Sequence, residues 1–189
     1  MVTSLAVYTG LVALVGVERL VELAVSNRNV ARAIALGAVE VGRGHYRAMV
    51  VMHAAFLVAC VCEAWLTRAP FPGVLGWVAL AGTASAQALR YWSIATLGPR
   101  WNTRVVVWPG VDPVTRGPYR LVRHPNYLAV IAEIVCLPLV HGAWRTALFF
   151  TVANAALLFV RIRVEERALG PRYAAAFEGR ARFLPEVTR

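Results

Sequence analysis

The sequence predicts an all-α fold, a polytopic integral membrane bundle of five transmembrane helices with no Rossmann domain, and three observations predict it. Hydrophobic residues make up 59% of the chain and charged residues 16%, where soluble domains run to about half and about a quarter, and the mean hydropathy is +0.58. Apolar runs of about 20 residues, the length that crosses a bilayer core, recur along the chain. Arginines gather in alternate connections between those runs, as short cytoplasmic loops require.

The runs are residues 5–25, 48–66, 73–97 and 144–164. A fifth, residues 127–140, reaches spanning length if it starts at His124-Pro125 and continues to Trp144. Pro125 suits the first turn of a helix, where its missing N–H forfeits no bond. The run at 5–25 lacks the basic flank and small-residue cleavage site of a removable leader, so it is expected to stay as the first span.

The first connection holds Arg28, Arg32, Arg43 and Arg47, and the third Arg100, Arg104, Arg116, Arg120 and Arg123. The tail holds Arg167, Arg172, Arg180, Arg182 and Arg189, whereas the second and fourth connections carry only Arg68 and Arg145. This asymmetry predicts an N-terminus outside and a C-terminus in the cytoplasm of a bacterial inner membrane. Arg68-Ala69-Pro70-Phe71-Pro72-Gly73 and His141-Gly142 read as tight outer turns, which leaves the chemistry to the cytoplasmic side. The net charge of +10 comes from arginine alone among the 20 basic positions. These arginines lie between apolar runs rather than on a polar domain, so no nucleic-acid partner is expected. Cys60, Cys62 and Cys136 sit in apolar runs without ligand spacing; they read as buried small hydrophobes, and no metal is expected.

Ionisable groups inside a span are costly and mark either a partner or a site. Glu18 and Glu22, four apart beside Arg19, share a helix face and read either as an ion-pair staple to a helix such as the one carrying Arg90 or as functional groups. Glu133 carries the same two readings, His53 reads as a hydrogen-bonded core histidine, and His141 as a loop residue. The densest polar cluster is Gly117-Pro118-Tyr119-Arg120-Leu121-Val122-Arg123-His124-Pro125-Asn126-Tyr127. An elbow with two prolines leading into a helix N-terminus offers free N–H groups and a positive dipole end to an anionic group. A second cluster, Arg161-Ile162-Arg163-Val164-Glu165-Glu166-Arg167, ends the last span with alternating charges. Arg163 and Glu166, three apart, are expected to face the elbow together.

These two segments resemble the G-P-Y-x-x-x-R-H-P-x-Y and R-x-x-x-E-E-x-x-L signatures of the isoprenylcysteine carboxyl methyltransferase family, in the family's order. Leu169, Tyr173 and the closing Phe183-Leu184-Pro185 extend the resemblance. Glu18-Arg19, Ser26, Arg28-Asn29, Gly37-Ala38-Val39-Glu40 and His45-Tyr46 are similar to a bacterial subgroup associated with type III polyketide synthases. The chain differs from the wider family in a short spacing before Tyr173 and in its Arg-rich first loop.

The resemblance implies a single domain over residues 1–189, with three spans in 1–97 and the cofactor-binding and catalytic half in 98–189. It implies an S-adenosyl-L-methionine-dependent methyltransferase whose lipophilic substrate enters from the bilayer. His124, Tyr127, Glu165 and the elbow around Arg123 and Pro125 would hold the cofactor, with Tyr119 closing it. Arg163 would face the reacting oxygen and Glu166 the sulfonium. The expected activity is O-methylation of a lipophilic acidic oxygen, an alkylpyrone or phenolic lipid. Carboxyl methylation of a prenylcysteine-like lipid, phospholipid N-methylation and a non-catalytic scaffold or transporter are the alternatives. In-line displacement at a sulfonium needs alignment and water exclusion more than a strong base when the oxygen arrives ionised.

Overall fold

The computed structural model describes residues 2–183; Leu184, Pro185 and Arg189, on which some expectations rest, lie outside them. Five helices form the fold: α1 Val2–Ala35, α2 Arg43–Thr67, α3 Val74–Leu97, α4 Pro125–Leu139 and α5 Trp144–Ala176. Among the described residues, α1, Tyr46–Thr67 of α2, and α5 are long and apolar enough to cross a membrane, while α4 is apolar but only 15 residues long.

Helix α1 runs ten residues past the predicted end of the first apolar run, so Arg28 and Arg32 are helical rather than in a loop. Its 34 residues, at a rise of about 1.5 Å each, outrun a hydrocarbon core of about 30 Å, and the last turns must project beyond it. Tertiary contacts hold those turns. Asn29 donates to the Trp101 carbonyl at 2.7 Å, and the Ser26 hydroxyl accepts from the Thr103 N–H at 2.8 Å. A short antiparallel pair, β1 (Val39–Val41) with β2 (Val105–Val107), joins the two polar connections at this end.

Helix α4 does not continue to Trp144. After Leu139 the chain turns through His141-Gly142, and Trp144 opens α5. The turn itself is packed inside, with His141 1% and Ala143 0% exposed, so core contacts stand where extra helix was expected. His141 is therefore a buried loop residue, its Nε2 3.3 Å from the Ser4 hydroxyl. Small residues on α3 let α4 approach closely: a Cβ added at Gly82 would lie 2.6 Å from the Cys136 sulfur. Cys60 is buried as expected, but Cys62 is exposed on α2.

One ion-pair network binds α1, α3 and α4. Arg19 reaches Glu22 at 2.5 Å and Glu133 at 2.9 Å, and Arg90 Nε reaches Glu22 at 2.9 Å. Arg19 also donates to Gln87 at 2.9 Å, and Glu18 accepts from Gln87 and Tyr91. The staple reading of Glu18, Glu22 and Glu133 thus holds, with Arg90 as one of its partners.

Helix α5 is interrupted at Gly170, whose φ of 71° and ψ of −163° are open to glycine and strained for other residues. The kink folds Tyr173 and Phe177 back onto Tyr119, and the three form a small buried cluster. Gly170→Ala is expected to release that cluster and lower the thermal unfolding midpoint in detergent, while leaving the far end of the bundle intact by limited proteolysis.

Candidate functional site

The site is built where the elbow meets the end of α5. Gly117–Arg120 forms one tight turn, and His124 caps α4 with Pro125 in its first turn. Gly117 has φ 58°, and a Cβ there would lie 2.4 Å from Thr96 Oγ1, so the elbow presses directly on α3. The chain at 180–182 then crosses the elbow. The N–H of Arg123 donates to the Ala181 carbonyl at 3.0 Å and that of His124 to Arg182 at 3.1 Å. These two N–H groups, expected to be free for a ligand, are taken up by the tail.

Glu166 locks the same junction. Its carboxylate meets His124 Nε2 at 3.1 Å and receives two bonds from Arg182, at 3.0 and 2.6 Å. Alongside runs a second chain of contacts. Arg161, 4% exposed, donates from Nε to the Tyr127 hydroxyl at 2.6 Å and from Nη2 to the Thr103 carbonyl at 2.8 Å. Tyr127 in turn donates to Glu165, and the His124 ring stacks on Tyr127 with centroids 5.2 Å apart. Tyr119 is buried beside them; burial, with a lesser push from the Glu165 charge, holds its phenol well above the ordinary tyrosine range. It stays a neutral hydroxyl at physiological pH.

A cavity of about 710 Å³ opens from this corner, within the range of small-molecule sites. At the elbow end its walls include Tyr119, Arg123, His124, Tyr127, Glu165 and Tyr173; toward the bundle they include Gly16, Leu20, Val50, His53, Ala54 and Leu57. Leu20 is 67% exposed while lining the cavity, so the space reaches the outer surface between α1 and α2. Seven arginines but three carboxylates line it (Arg19, Arg90, Arg100, Arg104, Arg123, Arg161 and Arg172 against Glu22, Asp112 and Glu165), which favours an anionic oxygen over an amine. Among the described residues no cluster of His, Cys, Asp and Glu could hold a metal.

Of the residues singled out in the sequence, Tyr119, Arg123, His124, Tyr127 and Glu165 line the cavity, and Pro125 is buried behind them. Glu166 touches it only through His124. Arg163 is not brought to the site: it is exposed and lies over the Phe159 ring at 3.8 Å. At about 100° per residue, positions 161 and 163 point to nearly opposite sides of a helix, and the cavity side belongs to Arg161. The sequence reading assigned Arg161 no role. Its i,i+4 relation to Glu165, a tighter helical pairing than Arg163 with Glu166, is the signal that could have found it.

The comparisons agree with the two motifs. The model of the isoprenylcysteine carboxyl methyltransferase (ICMT) family matches residues 77–171, which span the elbow, the start of α4 and the polar end of α5. The uncharacterized protein YpbQ of Bacillus subtilis is 41% identical over 160 residues, 84% of this chain and 94% of that protein. An uncharacterized protein of Haemophilus influenzae is 30% identical over 152 residues, 80% of this chain and 88% of its own length. With the family model matching residues 77–171, half of the chain and both polar segments, the chain is a membrane protein that belongs to the isoprenylcysteine carboxyl methyltransferase family, a family of methyltransferases.

Proposed function

We propose that this chain is a five-span inner-membrane O-methyltransferase that uses S-adenosyl-L-methionine to cap an acidic oxygen on an alkylpyrone or phenolic lipid of the kind type III polyketide synthases make. One observation carries the reading: a single cavity joins the polar motif corner to an apolar opening between α1 and α2. A lipid tail suits the opening and a charged nucleoside sulfonium suits the corner. The elbow and the C-terminal tail then face the cytoplasm, where the donor is found.

The residues present fit that donor. Tyr119, Tyr127 and Tyr173 offer aromatic faces to a sulfonium, and Glu165 a carboxylate. The buried Asn126 Oδ1 and Trp101 Nε1, both on cavity-lining residues, have no hydrogen-bond partner among the described residues, so a bound polar group would satisfy them. Bound there, the donor supplies an electrophilic methyl carbon. Arg161, always charged, fixes the oxygen anion of the lipid. The packed walls exclude water from the reacting centre. His124 and Glu166 hold the elbow against the tail and so keep the corner closed.

Two results test the reading. Lipid extracts of a strain lacking the gene should contain hydroxylated lipids lighter by one methyl group than those of the parent; identical extracts would oppose it. Glu165→Gln should weaken the sulfonium donor more than the neutral product S-adenosylhomocysteine, because only the donor gains from a carboxylate. Equal weakening of both ligands in calorimetry would assign Glu165 to packing instead.

A further inference from the structure

His53 belongs to neither motif, yet it lines the cavity from the middle of α2. Its Nδ1 lies 2.8 Å from the Met49 carbonyl oxygen. A carbonyl can only accept, so Nδ1 carries the proton and Nε2 keeps a bare lone pair. No protein group in the described residues bonds to that nitrogen. Met49, one turn earlier, has its sulfur 3.3 Å from Arg161 Nη1. His53 therefore stands one helical turn beyond the Arg161–Tyr127–Glu165 chain, on the side toward the lipid opening.

The other groups nearby that could take up a proton are already engaged. Glu22 is held by two guanidinium groups, Glu165 accepts from Tyr127, and His124 is bonded to Glu166. The cations whose charge bears on His53 are Arg90 of α3, Arg19 of α1 and Arg161 of α5, and Glu22 of α1, Tyr46 of its own helix, Tyr127 of α4 and Glu165 of α5 line the same cavity. The three cations among them, Arg19, Arg90 and Arg161, come from three different helices. Such a setting stabilises an oxygen anion but removes no proton from a hydroxyl.

We propose that His53 Nε2 is the proton acceptor for substrates whose oxygen arrives as a hydroxyl, an inference that rests on the methyltransferase reading above and extends it from ionised pyrones to weakly acidic phenols. The hydroxyl O–H bond breaks as the proton passes to Nε2. The oxygen electron pair forms the new bond to the methyl carbon of the sulfonium donor, and the carbon–sulfur pair remains on sulfur as a neutral thioether. The imidazolium then returns its proton to water through the cavity mouth.

The test compares a 4-hydroxy-6-alkyl-2-pyrone, ionised at neutral pH, with a 5-alkylresorcinol, which is not. His53→Ala should slow resorcinol methylation by about 10²-fold at neutral pH, and pyrone methylation by far less. The resorcinol defect should narrow as pH rises toward the phenol pKa, and added imidazole should restore part of the rate. His53→Asn, which keeps a polar group but no base, should share the defect. In donor-free protein carrying 15N-histidine, the alkylresorcinol should shift the His53 Nε2 resonance. Equal losses for both lipids, with no pH narrowing and no resonance shift, would overturn the role of His53. Wild-type protein inactive on both lipids would instead overturn the proposed function, and the resonance alone would then decide whether His53 receives phenols.

Discussion

Arg161→Lys is expected to lower methyl transfer by about 10²-fold while leaving the protein folded and inserted. The guanidinium meets Tyr127, the Thr103 carbonyl and the Met49 sulfur from three different nitrogens. An ammonium on a shorter stem keeps the charge but cannot hold that fork. Tyr127, released from Arg161, loses its fixed position between the guanidinium and Glu165. A rate assay with saturating donor and lipid reads the effect, and Arg163→Lys is its counterpart. If the larger loss came from position 163, the assignment of Arg161 would be wrong.

Arg19→Met is expected to destabilise the bundle by about 3–5 kcal/mol, the scale for breaking a buried ion pair from one side. Arg19 contacts Glu22, Glu133 and Glu18 at 2.5, 2.9 and 3.9 Å, and its side chain is 13% exposed. Without it, Glu22 and Glu133 are left to Arg90, and Glu18 to the neutral Gln87 and Tyr91. Thermal unfolding in detergent measures the loss, and adding Glu133→Gln should recover a large part of it. Purely additive destabilisation in that double-mutant cycle would mean that the two groups are not coupled.

The helices were legible because lipid as solvent imposes apolar runs, and turn residues such as Pro70, Pro72 and Gly142 punctuate them. What eluded the sequence was set by contacts distant along the chain. The last turns of α1 carry Ser26, Asn27, Arg28 and Asn29, which look like loop until Trp101 and Thr103 are packed against them. The two three-residue strands are too short to show alternation. The length of α4 was overestimated because hydropathy cannot reveal that the His141 turn is buried in the bundle.

The site shows the same division. The elbow and the end of α5 stood out as dense polar segments beside apolar ones, and Tyr119, Arg123, His124, Tyr127 and Glu165 do share one cavity. Spacing alone gave Arg163 and Glu166 a common face but not its direction. The structure turns Arg163 outward and engages Glu166 with His124 and Arg182. His53 was read as a bonded core histidine, which is true of Nδ1 only; its second nitrogen gains meaning from the cavity.

The central claim is that the corner formed by the elbow and α5 is the methyl-donor pocket, and donor affinity measures it most directly. Titration calorimetry of S-adenosyl-L-methionine into purified protein in detergent should give saturable binding. Tyr127→Ala should weaken it about tenfold or more, as loss of a ring against a desolvated cation implies, with His124→Ala weakening it in the same direction. Arg163→Ala, at the exposed face, should bind as wild type does. Undiminished affinity in folded Tyr127→Ala and His124→Ala, or a loss confined to Arg163→Ala, would contradict the account.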